Sequence, residues 1–408
     1  MSLPRSLLAA AVLVGACASR DGATAPAAAA PPYAAVAQPP PIVAPVAATP
    51  PPVDAGITPG HDAIAEATAD AAVDPPVAVV AADPGSERWL KGSTHIHAKP
   101  SGDSHTPVPD VIRWYERHGY DFIVVTDHNV VSEVDPMQST AGRVAIRYAP
   151  KGLVVLAGIE LTHNPNDCIP PGDPSGRCRI HVNLLGVTSR PTGKIKWANH
   201  KTNERLLKYQ AALDQRAGLG GIAQLNHPQW YWGMTGELLA ELAGRGMALV
   251  EIANAQFATW NAGDADHPST EALWDDALGR GATLWGVASD DAHQYNEPGK
   301  YPAGGGWVMV RARRDPAAIL DALAHGRFYA SNGVVLERAE VSGGALTVEV
   351  AAGSRGIHTI EFIENGKRVQ RARARKARRA VPATGYVRAV VTRADGKMAW
   401  VQPARATP

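Results

Sequence analysis

Histidines and carboxylates recur in this sequence where short apolar runs begin or end. His95 and His97 form an H-x-H pair, and Asp291 and His293 form a D-x-H pair. A spacing of two on an extended backbone points both side chains to the same side. Similar positions are taken by Asp127, His128, Glu160, His181 and His227. A core cannot bury so many imidazoles and carboxylates without water or metal to satisfy them, so the set predicts a metal site.

The elements that must position these residues alternate between strand and helix. The predicted strands span 89–96, 121–126, 153–160, 180–187, 221–227, 248–254 and 283–289, and the predicted helices span 107–118, 204–217, 235–244, 270–280 and 315–325. This alternation is typical of an α/β fold with a parallel sheet. Seven strands of nearly continuous hydrophobicity favour a closed barrel, in which the carboxyl ends of the strands surround the active site.

Taken together, the motifs resemble one known family. In chain order they read H-x-H, T-D-H-N, G-x-E, H-x-N-x-x-G, N-H-P and S-D-x-A-H, and this set, over about residues 89 to 335, resembles the PHP (polymerase and histidinol phosphatase) metallohydrolases. Segments 114–122, 306–311 and 327–331 look like the branch that includes carbaryl-hydrolase-type enzymes. The resemblance implies a distorted (β/α)7 barrel whose cleft holds two or three divalent metal ions: Zn, Mn or Fe.

The resemblance also implies which residues hold each metal. The first metal would be bound by His95, His97, Glu160 and Asp291. Glu160 would bridge to a second metal, which His181 and His227 would also bind. A third metal would be bound by Asp103, His128 and His293. Asp290 competes with Asp291, and the D-x-H spacing to His293 favours Asp291. Family members with Asp at the position of Asp103 are described with fewer metals bound, which leaves the third site open. Asp127 is expected to orient a ligand histidine.

A metal cluster of this kind predicts hydrolysis. Adjacent dications lower the pKa of a shared water, so a metal-bound hydroxide attacks and no nucleophilic side chain is needed. The sequence has no G-x-S-x-G elbow, no candidate catalytic cysteine and no P-loop, which disfavours covalent catalysis. We expect a phosphoesterase acting on a small phosphorylated substrate. Two alternatives stay open: a metal-dependent carboxylic ester, carbamate or amide hydrolase, and a non-catalytic metal-containing binding protein.

The residues that contact the substrate are less well defined by the motifs. Arg327 and Lys91 are candidate phosphate contacts, with an ordinary surface charge as the alternative. His163 and Asn129 are close in sequence to predicted ligands and are candidates for proton transfer. The aromatic residues 230–232 are candidates for stacking on a flat or sugar-like group, or for loop packing alone.

The first 85 residues are predicted to contain an export signal and a linker. Residues 1–17 carry Arg5, an apolar stretch and Val14-Gly15-Ala16-Cys17, which resembles a bacterial lipobox with Cys17 as the lipidated residue. The apolar stretch is too short for a membrane-spanning helix. Residues 18–85 are predicted to be a disordered linker, since Asp21 to Gly85 contains 22 Ala and 14 Pro. We expect an exported bacterial lipoprotein on the periplasmic or extracellular face of a membrane; the alternative is an ordinary signal-peptide cysteine.

The remaining sequence predicts a second module and few partners. Residues 86–334 are assigned to the PHP-type barrel, and residues 335–408, which alternate in period two, to a small C-terminal β-sandwich-like module. In an oxidising compartment Cys168 and Cys178 are expected to form a disulfide rather than a metal-binding pair. The basic run 367–379 is predicted to discourage strand pairing; a polyanion or membrane contact is the alternative. A net charge of +1 gives no support to a nucleic-acid partner, so the expected partners are a small phosphorylated or ester substrate and a membrane.

Overall fold

The computed structural model describes residues 86–134, 152–296 and 301–406. The predictions for the signal peptide, for Cys17 and for the linker up to residue 85 therefore lie outside the described residues. Within the described ranges, no helix is both long enough and apolar enough to cross a membrane.

Sixteen strands and seven α-helices make up the described part of the chain. The strands are β1 (Arg88–Ile96), β2 (Phe122–Val125), β3 (Val154–His163), β4 (Ile180–Leu185), β5 (Ile222–Leu225), β6 (Met247–Asn254), β7 (Trp285–Ser289), β8 (Trp307–Ala312), β9 (Phe328–Ser331), β10 (Leu336–Ser342), β11 (Ala345–Val350), β12 (His358–Glu364), β13 (Lys367–Ala372), β14 (Lys376–Ala380), β15 (Val387–Arg393) and β16 (Met398–Ala404). The helices are α1 (Val108–Arg117), α2 (Arg205–Asp214), α3 (Arg216–Leu219), α4 (Gly236–Gly244), α5 (Ala258–Ala262), α6 (Thr270–Gly279) and α7 (Pro316–Ala324).

The alternation of strands and helices predicted from the sequence is present. All seven predicted strands and all five predicted helices occur, with ends within three residues of the predicted ones. The local reasons are visible: β2 is buried along its whole length, as its unbroken apolar run requires, and α7 begins after Asp315, whose side chain accepts a hydrogen bond from the Ala318 N–H at the helix start. The mixed α/β class is therefore established.

The prediction of an all-parallel sheet is wrong at β4. This strand pairs antiparallel with β3 on one side and with β5 on the other. Parallel neighbours need a crossover connection, usually a helix, and none lies between His163 and Ile180. The reversal places the start of β4 at the edge where β3 and β5 end, so His181 lies beside residues at the carboxyl ends of its neighbours.

The largest sheet in the described ranges has 13 strands. Its order is β13-β12-β15-β16-β9-β8-β1-β2-β3-β4-β5-β6-β7. The first half of β1, from Arg88 to Gly92, pairs antiparallel with β8, so this strand edge is occupied. Its carboxyl end approaches the residues after β7 through one isolated parallel bridge between Ile96 and Ala292. The distorted (β/α)7 barrel stays a prediction.

The C-terminal strands continue the large sheet. Strand β16 pairs with β9, so β12, β13, β15 and β16 extend from the α/β part, while β10, β11 and β14 form a separate three-stranded sheet. Leu346 and Val348 on the small sheet belong to one apolar core with Phe362 and Val391 on the large sheet. The two sheets therefore pack face to face, as in a β-sandwich.

Candidate metal centre

The end of β1 is held by hydrogen bonds on both sides. The Thr126 hydroxyl, just after β2, accepts from the Ile96 N–H at 3.1 Å and lies 3.1 Å from the Ile96 carbonyl oxygen. The Tyr295 hydroxyl donates to the carbonyl oxygen of His97 at 2.8 Å. Because the flanking backbone is fixed in this way, the side chains of His95 and His97 enter the site from a rigid strand end. Both histidines are fully buried.

The two histidine rings face two carboxylates. The Nε2 atoms of His95 and His97 lie 3.1 Å apart. Asp291 Oδ1 lies 3.3 Å from the first and 3.1 Å from the second, and Glu160 approaches them at 3.4 Å and 3.6 Å. Three different strand ends thus bring imidazole nitrogens and carboxylate oxygens to one point, as the sequence predicts.

All nine residues predicted as ligands lie around this point. Three groups have ligand atoms close enough to share a metal ion: His95, His97 and Glu160; Glu160, His181 and His227; and His97, Asp103, His128 and His293. Glu160 belongs to the first two groups and His97 to the first and third. The groups therefore form a row with Glu160 and His97 as the shared members, and Asp291 lies beside the middle of the row.

The side chains of the row fit divalent metals in type and position. Glu160 Oε2 and His227 Nδ1 are buried and form no hydrogen bond of good geometry, although Glu160 Oε2 lies 2.5 Å from His128 Nδ1. Because buried polar atoms of native proteins are nearly always paired, ligand-type atoms that lack a well-formed hydrogen bond are suited to coordinating a cation. Imidazole and carboxylate are ligands that suit Zn, Fe and Mn.

Electrostatics keeps His97, His181 and Glu160 in the form that binds metal, whereas it favours the charged form of His128. Burial lowers the pKa of His97 to about 3 and that of His181 to about 4, so both rings are neutral near pH 7. Burial opposes the charge on Glu160, but His128, His181 and His95 hold the pKa of its carboxyl well below the usual value. Burial likewise disfavours the charged ring of His128, yet Glu160 and Asp103 raise its pKa to about 10.

Glu251 on β6 supports the site and was missed by the sequence reasoning. Its carboxylate accepts a hydrogen bond from His95 Nδ1 at 2.7 Å and another from the His227 backbone N–H at 2.6 Å. This fixes the ring of His95 with Nε2 toward the row, in the manner of carboxylate–histidine–metal triads. The available signal was a single Glu between Val250 and Ile252 in an apolar strand, since a buried charge requires a partner.

Two aspartates near the row do not have the same role. Asp127 was expected to orient a ligand histidine, but its carboxylate accepts from the Ala98 N–H at 2.6 Å and from the Ser132 hydroxyl. That prediction is wrong, because Asp127 faces the loop after β1. Asp290 accepts from Ser93 and Tyr115, away from the histidines. Of the two adjacent aspartates it is Asp291 that lies against the row, as the D-x-H spacing predicts.

An open cleft of about 780 Å³ lies over the row. Its lining includes the ligands His128, His181, His227, Asp291 and His293, the polar residues Asn129, Thr162, Asn164 and Lys194, and the aromatic residues Trp230, Phe257, Trp260 and Tyr301. This volume is within the usual range of sites for small molecules, about 300–1,000 Å³. The metal row is therefore accessible to a small ligand.

The predicted phosphate contacts lie elsewhere. Arg327 forms an ion pair with Asp321, and both line a separate cavity with Glu87. Glu87 precedes β1, so this cavity is at the opposite end of the strand from His95, roughly 25 Å away at the rise of a β-strand. Lys91 places its Nζ 3.9 Å from the ring centre of Tyr120. The prediction that Arg327 contacts substrate is wrong, because Arg327 lies near the amino end of β1 and the cleft lies at the carboxyl end.

His163 and Asn129 have structural contacts. The His163 ring lies 6.2 Å from that of Trp197, while its neighbours Thr162 and Asn164 line the cleft. The alternation of a strand thus turns His163 away, which corrects its predicted part in proton transfer. Asn129 lines the cleft, but its side chain is engaged by the backbone of Thr162.

The loops around the cleft are tied together. Cys168 and Cys178 form a disulfide in the connection between β3 and β4. The next residue, Arg179, places its guanidinium carbon 5.0 Å from the ring centre of Trp230. Among residues 230–232, Trp230 lines the cleft, whereas Trp232 stacks on His267 at 4.1 Å.

Comparisons with known proteins give only distant similarity. No protein family and no curated protein matches the chain. Among solved structures, the chain is similar to a two-domain protein containing a predicted PHP-like metal-dependent phosphoesterase from Bacteroides vulgatus, with 16% identity, a TM-score of 0.40, and coverage of 79% of this chain and 89% of that chain. It is also similar to an amidohydrolase from Chromobacterium violaceum with bound sulfate and no metal, with 14% identity, a TM-score of 0.34, and coverage of 52% of this chain and 89% of that chain. Since both TM-scores are below 0.5, the function of this chain must be inferred from its own side chains.

Proposed function

We propose that this protein is a metal-dependent phosphoesterase of the PHP type that acts on small phosphorylated molecules. The observation that supports the proposal is the row of three ligand groups joined by Glu160 and His97 on the floor of an open cleft. Adjacent dications in such a row would activate a water and clamp the attacking and leaving oxygens of a phosphoester. Two or three Zn, Mn or Fe ions are proposed, and membership of the carbaryl-hydrolase-type branch stays a prediction.

In this proposal the residues around the row have different roles. His95, His97, His181 and His227 supply ring nitrogens, and Glu160 supplies a charged carboxylate to two groups at once. Glu251 holds the His95 ring in the orientation that directs Nε2 to the row. Asp103, half-exposed at the cleft mouth, contacts His128 and His293 and completes the outer group.

The proposal is tested with protein stripped of metal and reloaded with Zn²⁺, Mn²⁺ or Fe²⁺. The substrates are an aryl phosphomonoester, an aryl phosphodiester and an aryl carboxylic ester with the same leaving group. We expect metal-dependent release of phosphate, and its loss in the double variant His95→Ala, His97→Ala. His105→Ala is the matched control, because His105 is exposed and outside the row.

Three results would contradict the proposal. Turnover of phosphoesters by the folded double variant at the parental rate would separate activity from the row. Turnover of the carboxylic ester alone would favour the carbonyl hydrolase instead. Bound metals with no turnover of any substrate would favour a binding protein. Circular dichroism and thermal unfolding establish that the double variant is folded.

The cellular location is a separate proposal. The lipobox-like sequence ending at Cys17 supports an exported lipoprotein, and the disulfide between Cys168 and Cys178 is typical of oxidising compartments. Expression in a bacterial host with a radiolabelled fatty acid should label the parent chain, and Cys17→Ser should abolish the label. Equal labelling of both chains would overturn this proposal.

A further inference from the structure

The two ends of the cleft differ in chemistry. At the end near Asp103, the ammonium group of Lys194 donates a hydrogen bond to the carbonyl oxygen of Ser101 at 3.0 Å. Ser101 in turn contacts the ring of His97 through its hydroxyl. Lys194 lines the cleft and forms no ion pair with any carboxylate in the described ranges. The ammonium group of Lys194 therefore lies beside the outer ligand group and is not committed to an ion pair in the described ranges.

The other end of the cleft is aromatic. Trp230 meets the ring of His181 at 5.5 Å and that of His227 at 5.2 Å, both edge to face. Phe257 stacks on His227 at 4.5 Å and lies 4.9 Å from Trp230. Trp260 completes the lining on this side. We call Trp230, Phe257 and Trp260 the aromatic wall; it adjoins the ligand group of Glu160, His181 and His227.

The aromatic wall is built rigidly. Tyr231 lies between Trp230 and Trp260, at 5.6 Å from each ring, with a backbone φ of 60°. A positive φ is rare and costly for a bulky side chain and is retained when its surroundings determine it. The guanidinium carbon of Arg179, next to the disulfide, lies 5.0 Å from the ring centre of Trp230 and 4.6 Å from that of Tyr231. A preformed stacking surface of this kind suits a flat ligand group, because little ordering is needed on binding.

From these two ends we infer the substrate class, an inference that rests on the proposed phosphoesterase function. The cleft takes phosphoesters whose alcohol part carries an aromatic ring. The phosphoryl group lies on the metal row toward Lys194, and the ring contacts Trp230 and Phe257. Lys194 supplies a charge-assisted hydrogen bond to a phosphoryl oxygen, and the wall supplies the offset or edge-to-face contacts that aromatic rings prefer.

Two pairs of ligands test the inference without changing the leaving-group chemistry. 2-Phenylethyl phosphate and hexyl phosphate have similar primary alcohols and differ in the ring. Their non-hydrolysable counterparts, 2-phenylethylphosphonate and hexylphosphonate, report binding by calorimetry on the metal-loaded protein. We expect the ring-bearing member of each pair to be favoured about five- to tenfold, in kcat/KM and in Kd respectively.

Matched variants assign the preference to the wall and to the lysine. Trp230→Leu should abolish the ring preference, while Trp232→Leu, on the same loop but outside the cleft lining, should retain it. Lys194→Met should raise the Kd of both phosphonates about tenfold without changing the ratio of the two Kd values, because it removes only the charged contact. Lys196→Met, on the same loop and outside the cleft lining, is the control for that variant.

Each outcome separates this inference from the proposed function. Hydrolysis of both phosphates with no ring preference, or a preference that Trp230→Leu leaves intact, would overturn the substrate class and leave the phosphoesterase in place. A ring preference in phosphonate binding with no hydrolysis of either phosphate would retain the ligand class and overturn the phosphoesterase. Equal phosphonate affinity in the parent and Lys194→Met would show that Lys194 does not contact the phosphonate group.

Discussion

Asp290 and Asp291 are neighbours in sequence, and both are buried, but they lie in two different pockets. Asp291 faces imidazoles, with its Oδ1 3.1 Å from His97 Nε2. Asp290 faces neutral donors: the Ser93 hydroxyl at 2.6 Å, the Tyr115 hydroxyl at 2.7 Å and the Gly304 N–H at 2.8 Å. Asp291 thus belongs to the metal row described above, and we call the surroundings of Asp290 the Asp290 pocket.

The difference shows what makes a buried carboxylate available to a metal. In the Asp290 pocket every contact donates a hydrogen, so the carboxylate is satisfied within the protein. In the metal row the carboxylates face imidazole rings, of which His97 and His181 are neutral with low pKa values and His128 is charged. A buried charge is stabilised when it is paired or coordinates a metal, so the carboxylates of the row are suited to a cation in a way that Asp290 is not. The predictions below separate the two pockets, beginning with the largest effect.

The strongest test of the metal row is Glu160→Gln. Glu160 serves two ligand groups, so its replacement should release more than one metal ion per chain. Activity should fall by about 1,000-fold or more, since a metal contributes several kcal/mol and each 1.4 kcal/mol is tenfold in rate. Metal content is measured by elemental analysis and activity by phosphate release. Glu133→Gln, at a partly exposed glutamate paired with Arg190, is the control; parental metal content in Glu160→Gln would contradict the shared role.

A smaller effect is expected when only the support of the row is changed. Glu251→Gln keeps the size of the side chain but removes the charge that orients His95. Outer partners of this kind typically change metal affinity or activity by about 10- to 100-fold. Competition with a chelator measures the affinity. If the metal affinity of Glu251→Gln equals that of the parent, Glu251 has only a packing role.

The Asp290 pocket should respond in stability rather than in metal content. Asp290→Asn weakens hydrogen bonds from Ser93, Tyr115 and Gly304 without touching the row. The free energy of unfolding should fall by about 1–2 kcal/mol, the difference between charged and neutral hydrogen bonds, while the metal content stays parental. Chemical denaturation and elemental analysis are the two measurements. Loss of metal from Asp290→Asn would show that the two pockets are not independent.

Much of the site was predictable because its pattern is local. The spacing of two in His95 and His97 becomes a shared direction on any extended strand, and the same spacing identified Asp291 rather than Asp290. The strands that carry the candidates lie within three residues of their predicted limits, since a continuous apolar run of that length leaves few other structures open to it.

Other assignments failed where a residue's environment comes from distant parts of the chain. Arg327 lies next to a predicted strand, as the candidate ligands do. The pairing of β9 with β8 and β16 nevertheless places it at the end of β1 opposite to His95. Glu251 shows the converse. Its strand was predicted, but the contact with His95, 156 positions earlier in the sequence, depends on how β6 and β1 are arranged in the sheet.

The sequence by itself determined the residue types, their spacing and the strand ends at which the candidate ligands stand, because these follow from the backbone geometry of short segments. The tertiary structure decided the antiparallel direction of β4, the continuation of the sheet into the C-terminal strands, the support of His95 by Glu251 and the separation of a cationic end from an aromatic end of the cleft. These depend on pairings between segments far apart in the chain, whose relative free energies no local pattern contains.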